Sequence, residues 1–267
     1  MAGIHTLRVP GANLHYEVRG DGPLVALVGS PMDAREFESL ADLLASDHTV
    51  LTADPRGINR SPLDDPEQDS TPLLRADDLA RLITQVDAGP ATVFGTSGGA
   101  CTVLALAQTR PDLVRTVVAH EPPLDGLLDD RERLLKATDD MIATYLAGDV
   151  LGAWAKFLAA AGVVLPEGAL EQMFGGERDP RQVADERRFF AHEMRETVRW
   201  TPDLAALRRI GDRVVVGIGE GSAGQLCDRT SRALADGLGI KPTLFPGDHT
   251  GFADDPAGFA AWFRAMS

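Results

Sequence analysis

Between Ile4 and Val18 apolar and polar positions alternate over two stretches, Ile4–Val9 and Asn13–Val18, on either side of Pro10-Gly11-Ala12. Period-two alternation around a turn-forming triplet predicts an antiparallel hairpin. Beyond it the alternation gives way to unbroken apolar runs at Leu24–Val28, Thr49–Thr52, Thr92–Phe94, Val114–Ala119, Val214–Ile218 and Thr243–Phe245. A strand covered on both faces has no solvent side to keep polar, and the stretches between these runs carry helical spacing. The pattern therefore predicts an α/β fold, a mostly parallel sheet with helices on both faces. Between about Leu124 and Ile210 no strand-like run occurs. Helical spacing there marks Arg131–Leu146, Val150–Ala161 and Gln182–Arg199, with breaks at Gly148-Asp149, Pro166-Glu167-Gly168 and Gly175-Gly176. The expected organisation is a core domain, residues 1–123 and 211–267, interrupted by a helical insertion, residues 124–210. An insertion after one strand of such a sheet lies over its carboxyl edge, where ligands bind, and can serve as a lid. Its aromatic residues Trp154, Phe157, Phe174, Phe189, Phe190 and Trp200 are expected to be chiefly core, with a share in pocket walls.

One motif changes the picture. Gly95-Thr96-Ser97-Gly98-Gly99 is a G-x-S-x-G pentapeptide set between the apolar run ending at Phe94 and the helix-forming run Ala100–Ala107. The pentapeptide alone is a weak signal, since a close-packed turn or an anion cradle on a helix N-terminus would read alike. The strand-turn-helix setting raises it: such a turn lifts the serine hydroxyl above the sheet, with the helix N-terminus beneath it. Nucleotide binding has no support, as neither G-x-x-x-x-G-K-[ST] nor a G-x-G-x-x-G opening a first strand-to-helix turn occurs. A serine is a poor nucleophile at neutral pH and needs a histidine base, which in turn needs an acid. Of six histidines, His5, His15 and His48 precede the motif in strand-like segments, His120 ends a strand, and His192 lies in the helical insertion. His249 stands in Pro246–Phe252, a loop between the last strand and the terminal helix Pro256–Ala265, at the edge of the sheet where Ser97 also falls. It is the expected base.

With Ser97 and His249 in these places, the chain resembles an α/β-hydrolase with a helical cap over essentially its whole length. Asp54-Pro55-Arg56-Gly57-Ile58-Asn59-Arg60-Ser61 is similar to the D-x-R-G-x-G-x-S segment of that family, with Asn59 in place of the second glycine. Val28-Gly29-Ser30-Pro31 stands where the family often has H-G-x-P, so the resemblance implies an oxyanion hole made by the backbone amides of Ser30 and Gly98. Val28 for histidine leaves that role intact, because the amide binds the oxyanion. The acid departs from the usual pattern. Gly219-Glu220-Gly221-Ser222 has serine at the position where the family often carries aspartate after its seventh strand, which leaves Glu220 or a carboxylate elsewhere. Glu121, ending the strand after the motif's helix and followed by Pro122-Pro123, is the better candidate; some capped hydrolases, including certain haloalkane dehalogenases, place their acid there. Asp248 is expected to shape the turn beside the base, and Arg56 to be structural. A serine at the motif turns the expectation away from haloalkane dehalogenases and epoxide hydrolases, which use aspartate, and toward hydrolysis of a carboxylic ester through an acyl-enzyme. A lactonase, a C–C bond hydrolase or a cofactor-free perhydrolase would use the same triad, and a ligand-binding sensor could keep the fold.

Composition narrows the partners. Forty acidic against 26 basic residues give a net charge of −14, which repels nucleic-acid backbones and anionic membranes, so neither is expected as a partner. A content of 44% apolar residues over 267 positions supports a large globular core. The first residues carry no basic patch followed by an apolar stretch and no run is long enough to span a bilayer, so a cytoplasmic location is expected. Cys101 and Cys227 are too few for a disulfide framework. No H-E-x-x-H or similar cluster of metal ligands occurs, and the expected reaction on a small-molecule ester calls for no metal or organic cofactor. No sequence pattern specifies a homo-oligomer.

Overall fold

The computed structural model describes residues 2–266. Its single sheet comprises β1 (Gly3–Val9), β2 (Ala12–Arg19), β3 (Leu24–Val28), β4 (Thr49–Ala53), β5 (Ala91–Thr96), β6 (Val114–His120), β7 (Val214–Gly219) and β8 (Thr243–Phe245). Their spatial order is β1-β2-β4-β3-β5-β6-β7-β8. β1 pairs antiparallel with β2, and β2 with β4; every other pairing is parallel. Val9 stands opposite Ala12, so the hairpin closes over Pro10-Gly11 alone and Ala12 belongs to the strand rather than the turn.

Around the sheet lie α1 (Glu38–Leu44), α2 (Pro72–Val86) and α3 (Gly98–Thr109). Between β6 and β7 come α4 (Arg131–Leu146), α5 (Val150–Ala161), α6 (Ala169–Phe174), α7 (Pro180–Arg188), α8 (Met194–Arg199) and α9 (Leu204–Ile210). The chain ends with α10 (Leu226–Leu238), α11 (Gly251–Asp254) and α12 (Pro256–Met266). Leu24 and Ala26 of β3 pack into one core with α2, α3, α9 and α10, whereas Val25 and Leu27 pack into another with α1 and α12. Successive side chains of a strand face opposite ways. A strand between two helix layers is therefore apolar at every position, which explains the unbroken runs.

β3 sits between β4 and β5, so the sheet is wound one way as far as β4 and the other way from β5 onward. The crevice at the carboxyl ends of β3 and β5 is the switch point at which such sheets bind ligands. Ser30 follows β3 and Ser97 follows β5.

The segment between β6 and β7 divides by packing. Leu124 at one end and Leu207 and Ile210 at the other join the core under the sheet. Between them Met141, Ile142, Tyr145, Ala153, Phe190 and Met194 form a separate cluster. Of the six aromatic residues expected to be chiefly core, only Phe190 is fully buried; Trp154, Phe157, Phe174, Phe189 and Trp200 are half-buried. The reason is geometric: α5, α6 and α7 line a cleft, so Trp154, Phe174 and Phe189 pack on one side and face open space on the other. Gln182–Arg199, expected as one helix, is α7 and α8 joined by a π turn, Phe189–Glu193, and α7 starts earlier, at Pro180. Among the described residues no helix is long and apolar enough to cross a membrane.

Candidate active site

β5 ends at Thr96 and α3 begins at Gly98, which leaves Ser97 alone to make the turn, at φ 55° and ψ −127°. A residue with a Cβ rarely adopts that backbone, and it persists only where its surroundings fix it. Here the glycines fix it. A Cβ on Gly95 would lie 2.3 Å from the Gly99 carbonyl oxygen, and one on Gly99 would lie 2.1 Å from that of Val28. Only glycine at both positions lets the first turn of α3 settle onto β3 and β5. Ser97 is half-buried above that turn, and its amide donates to the His120 carbonyl at 3.0 Å. The same closeness brings the two expected oxyanion donors together: a Cβ on Gly98 would lie 2.7 Å from the Ser30 carbonyl oxygen and 2.9 Å from its Oγ. The first amides of a helix have no intrahelical acceptor and carry the positive end of its dipole, so this is a place where negative charge is stabilised.

One strand further on, Glu121 follows β6 with a left-handed backbone of its own, φ 52°. Its amide donates to the Gly217 carbonyl at 3.0 Å, extending the ladder to β7. Its carboxylate is completely enclosed: Oε1 accepts from the Gly219 amide at 2.8 Å, and Oε2 lies 2.5 Å from His249 Nδ1. Burial alone would push this carboxyl up. The hydrogen bond to His249, the attraction of the His120 and His249 rings and the Ser222 hydroxyl together outweigh it and hold the group down to about 2. Ser222 is itself buried on the turn Glu220–Ser222, at the position where the resemblance leads one to expect aspartate. A small hydroxyl there leaves the space beside His249 to the longer side chain arriving from β6. Glu220 stands exposed on that turn, and it is Glu121 that meets His249.

His249 lies between β8 and α11, with its side chain 37% exposed. Gly219 lets this loop close down, since a Cβ there would lie 2.7 Å from Asp248 Cα, and the Gly221 amide donates to the Gly247 carbonyl at 2.8 Å. Asp248 Oδ1 accepts from the amide and hydroxyl of Thr250, at 3.0 and 3.1 Å, and so shapes the turn. Beneath the pair His120 is buried, its Nδ1 3.0 Å from Thr96 Oγ1; burial pushes the ring down to about 4, which keeps it neutral at neutral pH.

The segment beginning at Asp54 braces the crevice. Asp54 accepts from the Ala34 amide and binds Arg60 through both carboxylate oxygens. Asn59 adopts φ 48°, a region that glycine enters freely and asparagine tolerates better than most residues, which accounts for asparagine where the resemblance shows glycine. Arg56 is fully buried and held bidentate by Asp78, at 2.6 Å on each side, a structural pair as expected.

Glu121, Cys227 and His249 present ligand atoms within 4.8 Å of one another, the spacing of a metal-binding group. Oε2 and Nδ1 already share a hydrogen bond, and burial together with the Glu121 charge pushes the Cys227 thiol up to about 12. The donor set thus reads as an acid–base pair with a protonated thiol packed beside it. Sequence reasoning did not find Glu193, a buried carboxylate ending the π turn, whose Oε1 accepts from Ser30 Oγ. At helical spacing in a charged stretch it looks like any surface glutamate. Beside Pro31 a cleft of about 330 Å³ opens between the loop after β3 and the helices α5–α7, lined by Met32, Asp33, Trp154, Phe174 and Phe189.

Three comparisons bear on this arrangement. Residues 22–156 match a family model described as alpha/beta hydrolase fold. The "Uncharacterized hydrolase YraK" of Bacillus subtilis (strain 168) is 32% identical over 254 residues, 92% of this chain and 89% of that protein. A zearalenone hydrolase of Bionectria ochroleuca is 33% identical over 151 residues, 55% of this chain and 57% of its own. Among solved structures, the enol-lactonase from Burkholderia xenovorans LB400 superposes with a TM-score of 0.71 at 16% identity, covering 98% of this chain and 99% of that one.

Proposed function

The chain belongs to the alpha/beta hydrolase fold family and is a hydrolase; from that premise we propose that it cleaves a small-molecule carboxylic ester through an acyl-enzyme on Ser97. The observation that carries this reading is the enclosed Glu121 carboxylate at 2.5 Å from His249 Nδ1, one strand from a serine held in a left-handed turn at a helix N-terminus. With Nδ1 turned to Glu121, the imidazole is left to act through Nε2. Ser97 Oγ attacks the carbonyl carbon while His249 Nε2 takes its proton. The oxyanion accepts hydrogen bonds from the Ser30 and Gly98 amides. The same nitrogen then returns the proton to the departing alkoxide, and water repeats the sequence on the acyl-enzyme. Glu121 orients the ring and stabilises its charged form without taking the proton. The helices α4–α8 act as the cap over the crevice.

A lactone is an internal ester and asks nothing further of these atoms. A relative named zearalenone hydrolase, 33% identical over 151 residues, supports hydrolysis as the reaction. The test is turnover of a panel of phenyl and alkyl esters and lactones of several ring sizes by the wild type and by Ser97→Ala. We expect at least one class to be hydrolysed and the variant to be slower by roughly 10⁶-fold in kcat. Turnover that survives in Ser97→Ala, or a folded wild type that hydrolyses none of them, would overturn the reading.

A further inference from the structure

The ester mechanism leaves one buried carboxylate of the crevice unused. Glu193 is 1% exposed and ends the π turn Phe189–Glu193, where its backbone leaves helical geometry at φ −126°. A π turn costs helix regularity and is frequent at functional sites. Its effect here is to send Glu193 out of the helical segment and across to the loop after β3, where Oε1 accepts from Ser30 Oγ. Ser30 Oγ packs against Gly98, 2.9 Å from where a Cβ on that glycine would stand. Glu193 thus holds the side chain of one residue proposed to bind the oxyanion, Ser30, which packs against the other, Gly98.

Its other oxygen is unmatched. Oε2 is buried and has no hydrogen-bond partner. Two buried guanidinium groups, Arg75 and Arg188, balance the charge electrostatically. Neither donates to it: Arg75 binds Thr102, Ser70 and Thr197, and Arg188 Nη1 binds the Pro66 carbonyl while its Nε and Nη2 are likewise buried without a hydrogen-bond partner. A buried acceptor left unmet keeps its desolvation cost uncompensated, and the cost is larger when the group is charged. The unmet oxygen belongs to the carboxylate that holds Ser30 Oγ, so a donor entering beside Ser30 would relieve the deficit.

We propose that Glu193 is a specificity-determining residue, whose Oε2 accepts a hydrogen bond from a hydroxyl group carried by the substrate a few bonds from the scissile carbonyl. The substrate class is then a hydroxylated ester or lactone, and a carboxylate at that position is repelled. This inference rests on the ester reading for its choice of substrate, and the experiment separates the two.

Four probes suffice: phenyl butanoate, phenyl 2-hydroxybutanoate, phenyl 3-hydroxybutanoate and 2-hydroxyphenyl butanoate. In the wild type, one hydroxylated isomer is expected to exceed the parent in kcat/KM by about tenfold or more, and in Glu193→Gln that ratio falls to near one. Glutamine keeps an acceptor for Ser30 and removes the charged one for the substrate. Because the readout is a ratio between two esters on the same protein, partial loss of active protein cancels. The binding arm uses calorimetry on Ser97→Ala and on Ser97→Ala/Glu193→Gln, with the same preference expected in Kd only where Glu193 is present. A preference in binding with no turnover would reject the ester chemistry and leave the Glu193 assignment standing. The assignment is overturned if no isomer is preferred in either arm, if the preference survives Glu193→Gln, or if all four esters slow together with the ratio unchanged, as they would were the carboxylate filled by water or only structural.

Discussion

At Glu121 two effects oppose each other: burial disfavours the carboxylate, while His249, His120 and Ser222 favour it strongly enough to bring it to about 2. The first consequence is catalytic. On the proposed mechanism Glu121→Gln keeps the shape and removes the charge that orients and stabilises the imidazolium, so kcat on the best ester should fall by roughly 10³–10⁴-fold. Glu220→Gln, at an exposed position, should stay within about twofold; steady-state rates of the two variants side by side are the check. The second consequence concerns stability. A carboxyl lowered from its ordinary 4.5 to about 2 on folding contributes stability that is present above pH 4.5 and is lost as pH falls toward 2. Asp125, pushed up from 3.8 to about 7 by burial and by the charge of Asp130, works in the opposite sense, its contribution fading as pH rises through 7. Thermal melts of wild type and Glu121→Gln across this range cancel Asp125, and the wild-type advantage should shrink only below about pH 4.5. The places of Ser97 after β5 and of His249 after β8 were legible in the sequence because a motif and a loop after the last strand mark them. Glu121 was legible through an absence, the serine at 222, and its enclosure by Gly219 and Ser222 is a product of packing that no local pattern encodes.

Among the elements, the strand–turn–helix at β5 and α3 is the most tightly specified. A methyl on Gly95 meets the Gly99 carbonyl oxygen at 2.3 Å and Val103 Cγ2 at 2.7 Å, and neither can move without parting α3 from the sheet. Gly95→Ala should therefore cost about 1–3 kcal/mol of stability, seen as a fall in Tm of several degrees, and should slow turnover in the fraction that stays folded. The core strands were readable from sequence because burial on both faces leaves a continuous apolar run. The helices between β6 and β7 were readable in proportion to their length. α4 and α5, with 16 and 12 residues, fall where helical spacing sets them. The six residues of α6 are too few to display a period. The π turn shifts the phase of a helix by one residue without any glycine or proline to announce it, so α7 and α8 read as a single helix.

Across the whole molecule, the crevice is held by buried charge as well as by apolar packing. Arg56 and Asp78 join the loop after β4 to α2 with side chains 1% and 7% exposed. Asp78→Ala would strand a buried guanidinium and should cost about 3–5 kcal/mol, measured as a lower urea midpoint at unchanged m-value. That pair, Asp54 with Arg60 and the Ala34 amide, and Glu193 with Ser30 all converge on the loops at the carboxyl ends of β3 and β4. The overall architecture was legible because strand and helix periods alternate along the chain. The bracing was not, because its partners lie far apart in sequence: 22 residues for Arg56 and Asp78, 163 for Ser30 and Glu193. On the proposed mechanism this scaffold makes one serine, Ser97, nucleophilic. The most direct measurement of this is reaction with a fluorophosphonate followed by peptide mapping of the adduct. A single phosphonyl group on Ser97, formed far more slowly in Glu121→Gln, is the predicted result; modification elsewhere, or none in folded protein, would contradict it.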